Sequence, residues 1–124
     1  KARGALDRAE AMYLKGLEID EALGRKEGMA ADYGNLGVIY RRRGELDRAE
    51  AMYKRSLEIS DAQGMKELSA NQLGNLGLVY KGKGDMAQAC KYWARARDLF
   101  REIGAEHMAE KHEGWMREAG CPEV

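Results

Sequence analysis

GELDRAEAMYKRSLEI, at residues 44–59, repeats GALDRAEAMYLKGLEI, at residues 4–19, and GDMAQACKYWARARDL, at residues 84–99, is a third and more divergent copy. The period is 40 residues, and 22 of 40 aligned positions are identical between the first two copies. A unit that recurs every few tens of residues is one supersecondary element stacked on its neighbours. The repeat therefore predicts a solenoid, an architecture that is typical of binding scaffolds.

The overall charge argues against whole classes of partner. The 124 residues include 21 Lys plus Arg and 21 Asp plus Glu, which gives a formal net charge of zero. A general binder of nucleic acid or of anionic membranes shows a basic surplus. No apolar run approaches the ~20 residues needed to span a bilayer, and the start lacks the apolar core of a signal peptide. We therefore expect no nucleic-acid partner, no membrane partner and a cytoplasmic location.

The two cysteines stand in different contexts. Cys90 lies within a helical segment and Cys121 follows the last one, next to Pro122. A count of two is weak evidence for a disulfide in a chain that has no other feature of a secreted domain. We expect reduced thiols, and because Cys90 has no nearby histidine we expect a packing or surface role for it rather than that of a nucleophile.

In the segments between regularly placed glycines, apolar residues recur with the period of an α-helix. Leu46, Ala49, Tyr53 and Leu57 follow the spacing of one helix face. Glycines that follow basic or polar stretches are typical of helix ends, and here they are Gly24, Gly44, Gly64, Gly84 and Gly104. There is no strand pattern. We predict six helices, at about 5–23, 26–42, 45–63, 66–82, 85–103 and 105–118.

The repeat resembles the tetratricopeptide repeat, which has Leu-Gly-x-x-Tyr in its first helix and then a Gly, an Ala and an aromatic residue. The matching residues are Leu36-Gly37-Val38-Ile39-Tyr40, Gly44, Ala49 and Tyr53, and again Leu76-Gly77-Leu78-Val79-Tyr80, Gly84, Ala89 and Trp93. The period of 40 exceeds the usual 34, and the proline near the end of the second helix is missing. Both departures fit a lengthened second helix, similar to the long repeats of kinesin light chains, of LGN-type adaptors and of sensor arms in bacterial regulators.

This resemblance implies an all-α fold, a right-handed α-solenoid of about six helices in antiparallel pairs. We expect one array over residues 1–124. It would comprise a second helix without its partner (1–24), two complete repeats (25–64 and 65–104) and a capping helix (105–120). In the capping helix Trp115 aligns with Asn35, and we expect Trp115 and Met116 to be buried.

The first helix is expected to lack its own partner, because residues 1–3 align with the helix tail at 41–43. An uncovered apolar face would then lie around Leu6, Ala9, Tyr13 and Leu17. Exposed faces of this kind tend to find a partner, so we predict weak self-association through this helix.

No group of residues indicates catalysis. His107 and His112 are five apart, whereas ligands on one helix face need a spacing of three or four. We expect both to be solvated or at the edge of the cap. Carboxylates are abundant, but they alternate with cations as on a solvated surface. We therefore expect no metal, no cofactor and no enzymatic activity.

The candidate binding surface is the stripe of the first helices that does not pack within the repeat. In the family that the chain resembles, this stripe lines the concave side, and the asparagine at the position of Asn35 and Asn75 often hydrogen-bonds a bound peptide. Asn offers both a donor and an acceptor to an extended chain. The predicted groove residues are Ala31, Gly34, Asn35, Val38, Arg41, Arg42, Asn71, Gly74, Asn75, Leu78 and Lys81.

Alternatives remain at the level of residues and of the whole chain. Asn35 and Asn75 could instead tie adjacent repeats together, and Arg41, Arg42 and Lys81 could serve helix dipoles rather than acidic groups on a ligand. The resemblance implies a non-catalytic scaffold that binds a peptide or helix of a partner in the groove. The alternative is a regulatory or sensor arm of a larger signalling protein or transcription regulator.

Overall fold

The computed structural model describes residues 2–122, with side chains from residue 4 onward. Its six helices are α1 (Ala2–Leu23), α2 (Lys26–Arg42), α3 (Leu46–Ala62), α4 (Lys66–Gly82), α5 (Met86–Glu102) and α6 (Glu106–Ala119). Over residues 2–122 there is no β-strand. The six predicted helices are therefore confirmed, and every observed end lies within three residues of the expected one.

Each turn between helices contains a glycine with a positive φ, and the turn after α2 is an example. Gly44 has a φ of +81°, its N–H donates to the carbonyl of Arg41 at 2.9 Å, and the N–H of Glu45 donates to the carbonyl of Tyr40 at 2.8 Å. This pair of bonds is a Schellman motif, which satisfies carbonyls that the helix end leaves open. Because the left-handed conformation is unfavourable for residues with a Cβ, glycine recurs at these turns.

The chain divides into two compact units, Lys1–Gln63 and Gly64–Val124. In the first unit α2 packs against both α1 and α3, and in the second α5 packs against both α4 and α6. The expectation of a single array over 1–124 remains a prediction.

The repeat signature forms the core of the first unit. Leu36, Ala49 and Tyr53 have no exposed surface. A Cβ on Gly37 would lie 2.6 Å from the Tyr53 ring, so the missing side chain makes room for that ring. The buried hydroxyl of Ser56 donates to the carbonyl of Ala30 at 2.7 Å, which joins α3 to α2.

The second unit uses the same signature around larger rings. Trp93 is packed against Gly77, where any Cβ would overlap the indole. Trp93 forms a core with Ala89 and Met116. Met116 is buried as expected, whereas Trp115 is only partly buried, so the expectation for Trp115 was wrong. Its ring lies at the edge of this core, 5.8 Å between centroids from Trp93.

The two histidines have different environments. His107 is exposed, as expected, but His112 is only 3% exposed, so the solvated role predicted for it was wrong. His112 Nδ1 lies 2.8 Å from the carbonyl oxygen of Met108. The imidazole also packs between the rings of Phe100 and Trp115, at centroid distances of 5.2 and 4.7 Å. Burial lowers the pKa of His112, because a charged imidazole would be poorly solvated there.

Two carboxyl groups meet between α1 and α2. The carboxyl of Asp20 lies against Gly28, and the carboxyl of Asp32 lies against Gly16, so each acid occupies a notch left by a glycine on the facing helix. Asp32 Oδ2 is buried without a hydrogen-bond donor from another side chain. Burial, together with hydrogen bonding and repulsion from Asp20, raises the pKa of Asp32 to about 6. Below that pH the Asp32 carboxyl holds a proton, which removes its repulsion from Asp20.

A polar network joins the end of α2 to its neighbours. Tyr40 donates to Glu10 on α1 at 2.8 Å, and Arg43 pairs with the same carboxylate at 2.9 Å. Arg48 from α3 lies over the Tyr40 ring, 4.1 Å from its centroid. The hydrogen bonds from Arg43 and then Tyr40 lower the pKa of Glu10. The tyrosine of the signature thus links all three helices of the first unit.

Cys90 and Cys121 form a disulfide, with 5.6 Å between their Cα atoms. The expectation of reduced thiols was therefore wrong. Gly120 ends α6 in the left-handed conformation, with a φ of +74°, and the N–H of Cys121 donates to the carbonyl of Met116 at 2.9 Å. This turn brings Cys121 against α5, a proximity that a sequence separation of 31 residues does not reveal.

The exposed apolar side chains of α1 differ from the expected ones. Leu6, Ala9, Tyr13 and Leu17 are half-buried, whereas the large apolar side chains that are exposed are Met12, Leu14, Ile19 and Leu23. Ile19 is 45% exposed, and the aligned Ile59 in α3 is 6% exposed. Gly4, which aligns with turn glycines, lies inside α1, and so do Ala2 and Arg3. The predicted assignment of these two residues to the end of a preceding helix was therefore wrong, because α1 continues through the expected turn; Lys1 lies outside the described residues. Self-association remains a prediction.

Candidate functional site

Part of the predicted stripe on α2 is open to solvent in the first unit. Ala31 and Asn35, one turn apart, are both exposed, and Val38 is half-buried in the next turn. Leu36 and Ile39, which directly follow Asn35 and Val38, are buried. The sequence thus places a polar amide beside an apolar side chain on a surface that remains open in this unit.

Arg41 and Arg42 at the end of α2 have separate environments. The Nε of Arg41 donates to the Tyr53 hydroxyl at 3.5 Å, a long hydrogen bond that holds its half-buried side chain toward α3. Burial raises the pKa of Tyr53, and Arg41 partly offsets this effect. Arg42 is exposed. Of the two arginines, Arg42 is therefore the better placed to meet an acidic group on a ligand.

The aligned stripe on α4 belongs to the second unit. Asn71 and Lys81 are exposed, and Asn75 and Leu78 are half-buried. Asn75 Nδ2 donates to Gln72 Oε1 at 2.9 Å, a bond within one helix that joins no neighbouring element. An amide has two donor hydrogens and one acceptor oxygen, so this bond leaves capacity for a second partner.

The two predicted groove glycines are buried. Gly34 is buried, and a Cβ on Gly74 would overlap His112 Nε2. The prediction that Gly74 faces the groove was therefore wrong, because the imidazole of His112 on α6 already fills the space beside it. This position serves helix packing within the second unit.

Residues of α6 extend the stripe of the second unit. Trp115 aligns with Asn75 and Glu118 aligns with Leu78. A cavity of about 190 Å³ is lined by Leu78 and Lys81 of α4, Met86 and Trp93 of α5, and Trp115, Glu118 and Ala119 of α6. The predicted stripe did not include Trp115 and Glu118, which line this cavity beside Leu78 and Lys81. The 40-residue alignment already placed Trp115 at the position of Asn35.

Charged side chains lie beside the aromatic ring of Trp115 at this cavity. Lys111 on α6 lies over the Trp115 ring, with its Nζ 5.3 Å from the ring centroid. Lys81 and Glu118 line the same cavity with opposite charges. The cavity therefore suits an apolar side chain flanked by polar groups, rather than a strongly acidic one. Within the described part of the chain, no three His, Cys, Asp or Glu side chains are grouped to hold a metal ion.

Comparisons with known proteins agree with this architecture. The sequence profile of the tetratricopeptide repeat matches residues 1–62. Among solved structures, BtubC (BKLC) from P. vanneervenii superposes with a TM-score of 0.82 at 22% sequence identity, over 98% of this chain and 51% of that protein. The chain thus spans about half the length of BtubC, and this likeness concerns the fold alone. No curated protein sequence matches the chain. None of the helices in residues 2–122 combines the length and the apolar character required to cross a membrane.

Proposed function

The chain belongs to the tetratricopeptide repeat family, and we propose that it is a non-catalytic scaffold that binds a peptide or helix of a partner protein along its first helices. Repeats of this family generally mediate protein–protein interactions and are typically non-catalytic. The observation that carries the finer proposal is a surface pattern found in both units: an asparagine followed by a half-buried apolar residue, Asn35 with Val38 and Asn75 with Leu78.

The side chains of this pattern suit an extended peptide. The amides of Asn35 and Asn75 can each donate to a carbonyl and accept from an N–H of a peptide backbone. Leu78 and Trp115 offer apolar surface to a side chain of the ligand. An acidic residue of the ligand would pair with Arg42, which is exposed. Lys81 suits such a residue less well, because Glu118 lines the same cavity and would repel it.

The affinity of such a surface should be modest. Few first helices contribute, and binding must also offset the ordering of the peptide. We expect a dissociation constant in the micromolar range or weaker. An acidic ligand should bind less tightly as salt rises, because exposed charge pairs are screened over about 10 Å at 0.1 M ionic strength.

The test compares partner capture by the wild-type chain and by Asn35→Ala/Asn75→Ala. Baits are exposed to extract of the source organism, recovered proteins are identified, and any hit is titrated by calorimetry. We expect weaker binding with unchanged helicity by circular dichroism, because an exposed or half-exposed Asn contributes little to folding. Gln63→Ala is the matched control, because Gln63 is an exposed amide outside the stripe.

Two results would count against the groove. Equal recovery and equal affinity for both baits would move binding to another surface. An asparagine variant that unfolds while Gln63→Ala stays folded would favour the structural role of these residues.

The cytoplasmic location expected from the sequence also stays a proposal. The Cys90–Cys121 disulfide is the observation against it, because such bonds are rare in reducing cytosol. Alkylation of thiols in intact cells of the source organism tests the location. Labelling of both cysteines supports a reducing compartment, and their protection contradicts it.

A further inference from the structure

A second apolar cavity lies between α5 and α6, and it shares Met86 and Ala119 with the cavity beside the stripe. Its volume is about 440 Å³. Its lining is mostly small or apolar and includes both residues of the disulfide: Met86, Ala87, Cys90, Lys91, Ala94, Met116, Ala119, Gly120, Cys121 and Pro122. It therefore offers a hollow wide enough for an aromatic ring and the atoms that carry it.

The first unit shows what occupies the aligned place. With an offset of 80 residues, Cys90 aligns with Glu10 and Gly120 aligns with Tyr40. In the first unit the Tyr40 ring is 3% exposed, and its hydroxyl donates to Glu10 at 2.8 Å. Arg48 covers the outer face of the ring. The interface between a second helix and the following first helix is thus completed by a tyrosine ring.

The second unit has no ring at that position. Gly120 replaces the tyrosine and ends α6, and Cys90 bonds to Cys121 instead of accepting from a hydroxyl. The cavity follows from this replacement, because glycine contributes no side chain between α5 and the end of α6. The internal repeat therefore indicates the chemistry that fits here, an aromatic ring.

The charge at the rim of this cavity is positive and comes from Lys91. Lys91 is exposed and is the only ionisable residue of the lining, and no carboxylate lines this cavity within the described residues. A ligand with a carboxylate beside its ring would place that group near Lys91 without meeting a like charge from the lining.

We propose that this cavity is a docking site for an aromatic side chain of a partner protein, followed by a carboxylate that pairs with Lys91. Met86 and Ala119 line both this cavity and the one beside the asparagine stripe, whereas Lys91 and Met116 line this cavity alone. Lys91 and Met116 therefore distinguish binding here from binding in the groove. Binding buries the ring against Met86 and Met116, and the methionine sulfurs favour aromatic contact.

Methionine methyl NMR tests the site directly. The oxidised chain, labelled with ¹³C at its methionine methyl groups, is titrated with the peptide acetyl-Ala-Tyr-Asp-Ala-amide. The resonance of Met116, which lines this cavity alone, should shift through the ring current, and that of Met86, which lines both cavities, should shift with it. The resonances of Met12 and Met29 in the first unit should remain in place. A shift of Met86 without a shift of Met116 would place the peptide in the groove instead. The same peptide with Leu in place of Tyr is the matched probe and should produce no comparable shift.

Two variants assign the interaction. Lys91→Gln should weaken binding of the Tyr-Asp peptide about two- to fivefold, the usual effect of losing an exposed ion pair. It should leave the affinity for the analogue with Asn in place of Asp unchanged. Ala94→Phe should fill the cavity and abolish the shifts of Met86 and Met116. Should this variant unfold, the Lys91→Gln comparison still decides.

Three outcomes would overturn the proposal. Equal shifts with the Tyr and Leu peptides would remove the preference for a ring. Equal binding of the Asp and Asn peptides to the wild type would remove the role of Lys91. If p-cresol alone bound as tightly as the Tyr-Asp peptide, the cavity would be a small-molecule site instead of a docking site for a partner protein.

Discussion

Removal of the Cys90–Cys121 disulfide should destabilise the second unit substantially. The bond joins residues 31 apart and closes a loop that contains most of α5 and all of α6. In the chain-entropy description, a loop of about this length removes roughly 12 cal/mol/K from the unfolded ensemble, or about 3.7 kcal/mol at 25 °C. Measured losses in proteins are commonly about 2–4 kcal/mol, so we expect Cys121→Ser to fall in that range.

Urea unfolding provides the measurement. With a slope of about 1–1.5 kcal/mol/M for a chain of this size, a loss of about 3 kcal/mol lowers the midpoint by about 2–3 M. Circular dichroism should record the loss of helix, and the fluorescence of Trp93 and Trp115 should report on the second unit, which contains both tryptophans. The packing of Trp93 against Met116 does not depend on the bond, so α6 should remain folded in the absence of urea.

The controls separate the bond from the side chains. Cys90→Ser, Cys121→Ser and the double variant should share one stability, because each removes the same cross-link. The wild type with reductant should have the same stability to urea as these variants. Without reductant, the denatured wild type should contain no titratable free thiol. Equal stability with and without reductant, or two titratable thiols in the untreated protein, would refute the reasoning.

Three further changes test the core, the acid pair and the first helix. Gly37→Ala should cost about 1–3 kcal/mol in thermal unfolding because its Cβ would lie 2.6 Å from the Tyr53 ring; Gly114→Ala, with nothing within 4 Å, should be neutral or stabilising. Asp32→Asn should raise the free energy of unfolding by about 1–2 kcal/mol over that of the wild type at pH 8 and change it little at pH 4. The pKa of Asp32 is raised to about 6, so the wild type loses stability as pH rises through that value, and Asn removes this loss. Equal effects of the substitution at both pH values would contradict this. Met12→Ser should reduce concentration-dependent light scattering, because Met12 is 72% exposed; scattering equal to that of wild type would place association elsewhere.

The helices and their ends could be predicted because their causes are local. Helical spacing of apolar residues marks each element, and glycines such as Gly44 and Gly84 satisfy a conformational need that few other residues meet. The Leu-Gly-x-x-Tyr and Ala-aromatic positions also predicted the packing of α2 on α3. A glycine on one helix and a ring on the next are complementary shapes, visible in the sequence once the period is known.

The environments of Cys121, His112 and Trp115 could not be predicted, because tertiary geometry decides them. Cys121 approaches Cys90 only because Gly120 turns the chain back toward α5. His112 is buried because Gly74 opens a space on α4 that only the pairing of α4 with α6 reveals. The alignment of Trp115 with Asn35 was available, but the apolar character of Trp115 favoured the core over the surface.

Two aligned positions of the repeat carry groups whose pKa shifts predict opposite responses to pH in the two units. In the first unit the interface between a second helix and the next first helix contains the carboxyl pair Asp20 and Asp32. The aligned place in the second unit contains Phe100 and His112, with ring centroids 5.2 Å apart. The repeat backbone accommodates both pairs, because its turns and signature residues lie elsewhere. Chemistry at this interface can therefore change without a change of fold.

The sign of each response follows from the direction of the pKa shift. The raised pKa of Asp32 means that its contribution to stability is lost as pH rises from about 4 through about 6. Burial lowers the pKa of His112, so its contribution is complete above the ordinary value of about 6.5 and is lost as pH falls toward the folded value. We expect tryptophan fluorescence, which reports on the second unit, to show unfolding at lower urea concentrations as pH falls below 6.5. His112→Gln, which introduces the residue of the aligned position Gln72, should flatten that dependence, whereas Asp32→Asn should leave it in place. A fluorescence midpoint that responds to Asp32→Asn and not to His112→Gln would show that the assignment of the two responses is wrong.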